Sequence, residues 1–254
     1  MLKGLGLFFT LILTVIASTA CMGQSPNDVA ADFAALLDDA STSEDVYSAE
    51  SFLLDKARYL NKEQTGELLL LWEDYANKID NSYIDYTDII NKYKTLIPDY
   101  MQTMFQFKDI EQKSPIISEA SLLVSWSELL DRTIRIEDYI SENLDHPLIK
   151  DDILWLYGKY MHTLLIGASN TPVFDYKTSA FSEELRSLIE TYITRHPDGA
   201  TSQTLAEYYK YLESVKFSLR YDDKNESAKF FETCNRLKSE AEKRVFMPGK
   251  DVRE

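Results

Sequence analysis

The sequence predicts an all-α fold of eight to ten amphipathic helices, stacked as helical hairpins in an α-solenoid-like array or an irregular bundle. Three observations predict it. Glycine and proline number only 8 and 7 in 254 residues, so few positions break a helix. Apolar residues recur at i, i+3, i+4 spacing, as in Leu68, Leu71, Trp72, Tyr75 and Ile79, which lines them along one helix face. No stretch shows sustained two-residue alternation with the turn chemistry of strands.

In chain order, Ser25-Pro26 introduces a helix at 28–40, because proline costs nothing where the N–H has no helical partner. Ser41-Thr42-Ser43-Glu44 offers a polar acceptor with an acid three residues on, a capping box that starts 44–60. Asn61-Lys62-Glu63-Gln64 does the same for 62–80. Helices at 83–97 and 98–112 carry Tyr83, Tyr86, Tyr93 and Tyr100. Ser114-Pro115 opens a long helix at 115–143, with a break expected near residue 132. His146-Pro147 precedes 148–166, whose stripe of Leu154, Tyr157, Tyr160, Met161 and Leu164 stops at Gly167. The longest irregular piece is expected at 167–179. Helices then follow at 180–195 and 202–220, the second with the stripe Leu205, Tyr208, Tyr209, Leu212 and Val215. Asp223-Lys224-Asn225-Glu226 caps the last helix, 225–245, whose apolar face is Phe230, Phe231, Cys234, Leu237 and Ala241.

A repeat runs through the second half. Ile136-Glu137-Asp138-Tyr139-Ile140 matches Ile189-Glu190-Thr191-Tyr192-Ile193, and each is followed by a His-Pro turn and a Tyr-rich helix. The units span 136–166 and 189–220, the arrangement from which helical stacks are built. Chance periodicity in two amphipathic helix pairs is the competing explanation. The body, 28–245, is read as one domain with a flexible tail at 246–254.

The first twenty residues differ from the rest. Lys3 precedes an apolar run from Leu5 to Ile16, and Ser18-Thr19-Ala20 follow. A run of about a dozen residues is short of the ~20 that span a bilayer, so 1–20 reads as a cleaved export signal and 21–27 as a tether. Cys21 directly follows the small residues. The segment resembles the lipobox of bacterial lipoproteins, which implies a lipid on Cys21 and a place at the membrane or in the periplasm of a bacterial envelope. Ser18 stands where that motif usually has a branched apolar residue, so ordinary cleavage that leaves a free thiol stays open. The only other cysteine, Cys234, reads as a buried helix residue.

The formal charge is −15 and becomes −16 once residues 1–20, with their one lysine, are removed. Such a surface repels phosphates and excludes nucleic acid as a partner. It leaves another protein, a basic one fitting best, and the membrane only through a lipid.

Catalytic signatures are missing. The histidines, His146, His162 and His196, form no H-E-x-x-H, so no metal is expected. Gly167-Ala168-Ser169-Asn170 lacks the second glycine of a nucleophile elbow, and no glycine-rich loop could cradle a phosphate, so no cofactor is expected either. Asp38-Asp39, Asp85 with Asp88, Asp151-Asp152 and Asp222-Asp223 read as helix-start acids, favoured there by the helix dipole. The sixteen tyrosines are the least ordinary feature. Tyr157, Tyr160, Tyr208 and Tyr211 mark the expected binding surface, since tyrosine suits both cores and protein contacts. These observations favour a non-catalytic protein-binding scaffold of the envelope. Two rivals are an immunity or inhibitor protein that neutralises an exported toxin or hydrolase, and an envelope hydrolase acting on glycan or peptidoglycan.

Overall fold

The computed structural model describes residues 25–79, 83–146 and 150–247, with the side chains of 150–152 excepted. The export signal, Cys21, Pro147, the side chains of Asp151-Asp152 and the tail beyond Met247 lie outside the described residues. The fold is all-α, with ten α-helices and four two-residue strands among the described residues. Residues 28–245, read from the sequence as one domain, divide at Tyr83–Ile84 into two compact units.

The first unit contains α1 (Pro26–Asp38), α2 (Ser43–Lys56) with a 3-10 turn at Ala57–Tyr59, and α3 (Lys62–Ala76). Each helix opens on a complete capping box: Ser25 with Asp28, Thr42 with Asp45, and Asn61 with Gln64. Two backbone donors that the helix leaves orphaned are thereby satisfied at each start. The unit closes its own core, with Val29, Phe33, Leu37, Val46, Leu53, Leu69 and Trp72 all buried. That is why it forms a separate unit. The Trp72 indole donates to the Val46 carbonyl at 2.8 Å, so its polar edge is buried without loss. Asp38 and Asp39 sit at the end of α1, not at a helix start; there Asp38 accepts from the Tyr75 hydroxyl at 2.7 Å.

The second unit contains α4 (Tyr86–Tyr93), α5 (Asp99–Lys113), β1 (Ile117–Ser118), β2 (Ser121–Leu122), α6 (Trp126–Glu142), α7 (Lys150–Ile166), β3 (Gly167–Ala168), β4 (Thr171–Pro172), α8 (Glu183–Arg195), α9 (Ala200–Ser214) and α10 (Lys224–Arg244). Sequential helices pack as pairs, α4 on α5, α6 on α7, α8 on α9 and α9 on α10, and α10 also packs on α7. Residues 136–166 cover the end of α6 with α7, and 189–220 the end of α8 with α9.

The helix expected over 115–143 is corrected. Residues 117–122 form an antiparallel hairpin, and α6 begins only at Trp126, capped by Ser125. Ser114 caps α5, and Pro115 directly after it cannot donate to continue the ladder. The hairpin turn is Glu119-Ala120, with φ of 47° and 62°. Such a turn normally uses Asn-Gly, so nothing in the sequence announces it. No break occurs at residue 132. Instead Arg132 is buried and donates to Ser114 O at 2.7 Å and Glu128 Oε1 at 2.8 Å.

Two further boundaries move. The irregular piece 167–179 contains the hairpin β3–β4, and Gly167 has a φ of 77° that only glycine adopts freely. The helix expected over 202–220 ends at Ser214, where Lys216 and Phe217 turn left-handed at 56° and 52°.

Candidate binding surface

The links α5–α6, α7–α8 and α9–α10 gather at one end of the second unit and hydrogen-bond to one another in series. Asn170 N donates to Ala120 O at 2.8 Å, and its side-chain amide donates to Glu119 O at 3.1 Å. Leu122 N donates to Thr171 Oγ1 at 3.2 Å. Further along, Phe174 bridges Phe181 and Ala180 bridges Ser218, while Phe181 N donates to Phe217 O at 3.0 Å. The result is a thin β-like layer across the helix ends.

Left-handed backbone concentrates there. Glu119, Ala120, Ser179, Lys216 and Phe217 are the non-glycine residues with positive φ among those described, and all five lie in this layer. Each such conformation costs roughly 1–2 kcal/mol, and strain of this kind gathers where a surface is shaped for a task.

An aromatic ledge stands on the layer. Phe174, Phe181 and Phe230 are buried and meet edge to face at 5.1 and 5.4 Å. Tyr221 packs against Phe230 at 6.3 Å, and burial pushes its hydroxyl up to about 12. Beyond it Tyr176 lies 4.9 Å from Tyr221 and is 60% exposed. Its hydroxyl donates to Ser169 O at 3.1 Å, which fixes the ring. Phe231, 41% exposed, touches Tyr221 and Phe230 at 6.4 and 5.2 Å. The rim is polar. Asp175 accepts from the Thr178 and Lys177 amides at 2.7 and 2.9 Å, and Arg220 spans Asp223 and Glu226 at 3.0 and 2.6 Å.

The tyrosines singled out in the sequence lie elsewhere. Tyr157, Tyr160 and Tyr208 are buried and Tyr211 is half-buried, so three of the four rings are core and line no open surface. Their stripes face neighbouring helices, and each buried hydroxyl finds a partner. Tyr157 meets Thr201 Oγ1 at 3.0 Å, Tyr208 donates to Leu165 O at 2.6 Å, and Tyr160 donates to Glu111 Oε2 at 2.7 Å. Glu111 also pairs with Lys159 and lies 3.9 Å from Arg132. This network joins α5, α6 and α7, and its charges balance once Glu128 is included.

The histidines are separated. His146 stacks on Tyr100 at 3.9 Å, His196 stacks on Tyr192 at 5.0 Å, and His162 faces α10. No group of three or more His, Cys, Asp or Glu among the described residues is placed to hold a metal ion. Cys234 is free and buried, which pushes its thiol up. Among the described residues, two open depressions lie against α2 (Ser43, Glu44, Tyr47) and α8 (Ser187, Glu190, Thr194). No described helix is long and apolar enough to cross a membrane.

Sequence reasoning missed Tyr176, Tyr221 and Phe231 as a group. Tyr176 and Tyr221 fall between helices, where no periodicity assigns a face. The available signal was an aromatic ring set between charges, Asp175-Tyr176-Lys177, in a stretch with no helical stripe to bury it. No protein-family model, curated protein or solved structure matches the chain.

Proposed function

We propose that this chain is an exported bacterial cell-envelope protein, held at a membrane by a lipid on Cys21, that binds another protein and carries out no reaction of its own. The observation that supports the binding role is the ledge, where the exposed rings of Tyr176 and Phe231 flank the half-buried Tyr221 and are rooted in a buried aromatic cluster, with Tyr176 fixed by its hydroxyl bond to Ser169 O. Rigid aromatic rings with a charged rim are the usual anatomy of a protein-contact centre. Lipid anchoring fits the charge. Residues 25–83 hold 13 acidic and 4 basic side chains, so their surface repels anionic headgroups, and attachment falls to the acyl chains.

A photo-crosslinking side chain installed at Tyr176 in living cells tests the reading. One discrete adduct, weakened by Phe231→Ala, is the expected outcome. An adduct with an exported toxin or hydrolase would identify the inhibitor form of the role. Absence of any adduct from positions 176, 221 and 231 would overturn it. The mass of the mature N-terminus tests the anchor separately, with acylated Cys21 expected and a bare thiol counting against it.

A further inference from the structure

α10 lies in a trough made by two helices that run in the same direction. Tyr157 of α7 meets Thr201 of α9, and eight residues further along Leu165 accepts from Tyr208, so α7 and α9 are parallel. α10 runs opposite to both. Its Cys234 donates to Leu165 O at 3.8 Å, and its Arg244, ten residues on, donates to Thr204 Oγ1 at 3.1 Å near the start of α9. Phe230, Cys234, Leu237 and Ala241 fill the trough and are buried. Beneath them lie Tyr208 and, stacked on Phe230 at 6.4 Å, Tyr211.

The two seams differ. Along α9, Arg244 pairs with Glu207 and Glu240, and Arg236 reaches Glu240 at 2.7 Å. Along α7, Gly158 lets the helices approach so closely that a Cβ would fall 2.0 Å from Glu242 Oε1 and 3.0 Å from the Lys238 chain. His162 sits one turn beyond Gly158, half-buried. It lies beside Asn235 and on the face that meets Lys238 and Glu242, themselves paired at 2.7 Å. On α7 the neighbouring cation, Lys159, is held away by Glu111.

We propose that α10 is an acid-released latch: a proton on His162 sets a second positive charge against Lys238 in the α7–α10 seam and loosens α10 from its trough. The surface uncovered is the apolar one around Tyr208 and Tyr211, which Phe230, Cys234, Leu237 and Ala241 of α10 cover in the closed state. The ledge shares Phe230 and Phe231 with α10, so loosening the helix also disturbs the ledge, but the latch is argued from the α7–α10 seam and does not rest on the binding role.

The sign follows from the histidine's surroundings. Burial first, then Lys238, hold its pKa below the usual value, against the opposing pull of Asn235 and Glu242. The released state, with the ring in water, binds the proton more readily. Closure is therefore fully favoured above the ordinary histidine pKa and weakens as pH falls from there toward the depressed value in the closed state.

Hydrogen exchange of the intact protein at pH 7.5 and pH 5, corrected for intrinsic rates, tests the latch. Peptides from α10 are expected to lose protection several-fold at pH 5 while those from α8 keep theirs. His162→Gln, which keeps a polar partner for Asn235 but cannot titrate, is expected to remove the difference. Lys238→Met is expected to reduce it, which decides the matter should the histidine variant fold poorly. Equal loss in α8 and α10, no loss in α10, or an undiminished response in both variants would overturn the proposal.

Discussion

Arg244 shows how much a single charged side chain can hold in this molecule. It is buried, and its guanidinium satisfies Thr204, Glu207 and Glu240 at once. A buried ion pair adds little compared with an apolar pair of the same shape, but breaking it strands the partner charge. Glu207 and Glu240 keep 25% and 18% exposure, so water relieves part of that penalty. Arg244→Met is expected to lower stability by about 2 kcal/mol, read as a fall in the urea midpoint with an unchanged slope. Tyr157 and Tyr208 make the complementary point about legibility. Their helical spacing was plain in the sequence, but a stripe says only that one face is apolar, and not whether a neighbour covers it.

The helix α9 does not cap its own start. Gly199 at its N-cap has no side chain to offer, and the Glu137 carboxylate from α6 accepts from the Ala200 and Thr201 amides instead. A Cβ at residue 199 would come within 2.9 Å of that carboxylate, so the glycine and the borrowed cap belong together. Glu137→Ala is expected to cost about 1–2 kcal/mol. Adding Gly199→Ser in that background should restore part of the loss, because the space is then open and serine caps locally. Denaturant titration of the three variants checks this; independent, additive losses would show that the two residues are not coupled. The Asn61–Gln64 box of α3 was legible because donor and acceptor lie three residues apart. The box of α2 forms one residue beyond the expected Ser41–Glu44 pair, at Thr42 and Asp45, and the Ser25–Asp28 box of α1 went unread behind its Pro26 signal. Glu137 and Ala200 are 63 residues apart, and only packing brings them together.

For the whole molecule, the division at Tyr83–Ile84 has a direct consequence. The second unit closes its own core around Tyr93, Phe105, Tyr157, Phe174 and Phe230, all buried. Residues 84–254 produced alone are therefore expected to unfold cooperatively in a circular-dichroism melt, as a domain with its own core does. A broad, featureless melt would show that the core is insufficient by itself. The same unit carries both the ledge and the latch, while the excess of acid over base is densest in the first.

Helix content, the starts of the self-capped helices and the apolar stripes were determined by the sequence alone, because they depend on residues within a turn or two of one another. The two hairpins, the end of α9, the burial of Tyr157, Tyr160 and Tyr208, and the exposure of Tyr176 and Phe231 were decided only by the tertiary structure. Glu119-Ala120 and Lys216-Phe217 adopt left-handed turns that their residue types disfavour, held there by hydrogen bonds and packing from elsewhere in the layer. A ring is core or contact surface according to which distant helix lies over it, and spacing along one helix carries no record of that.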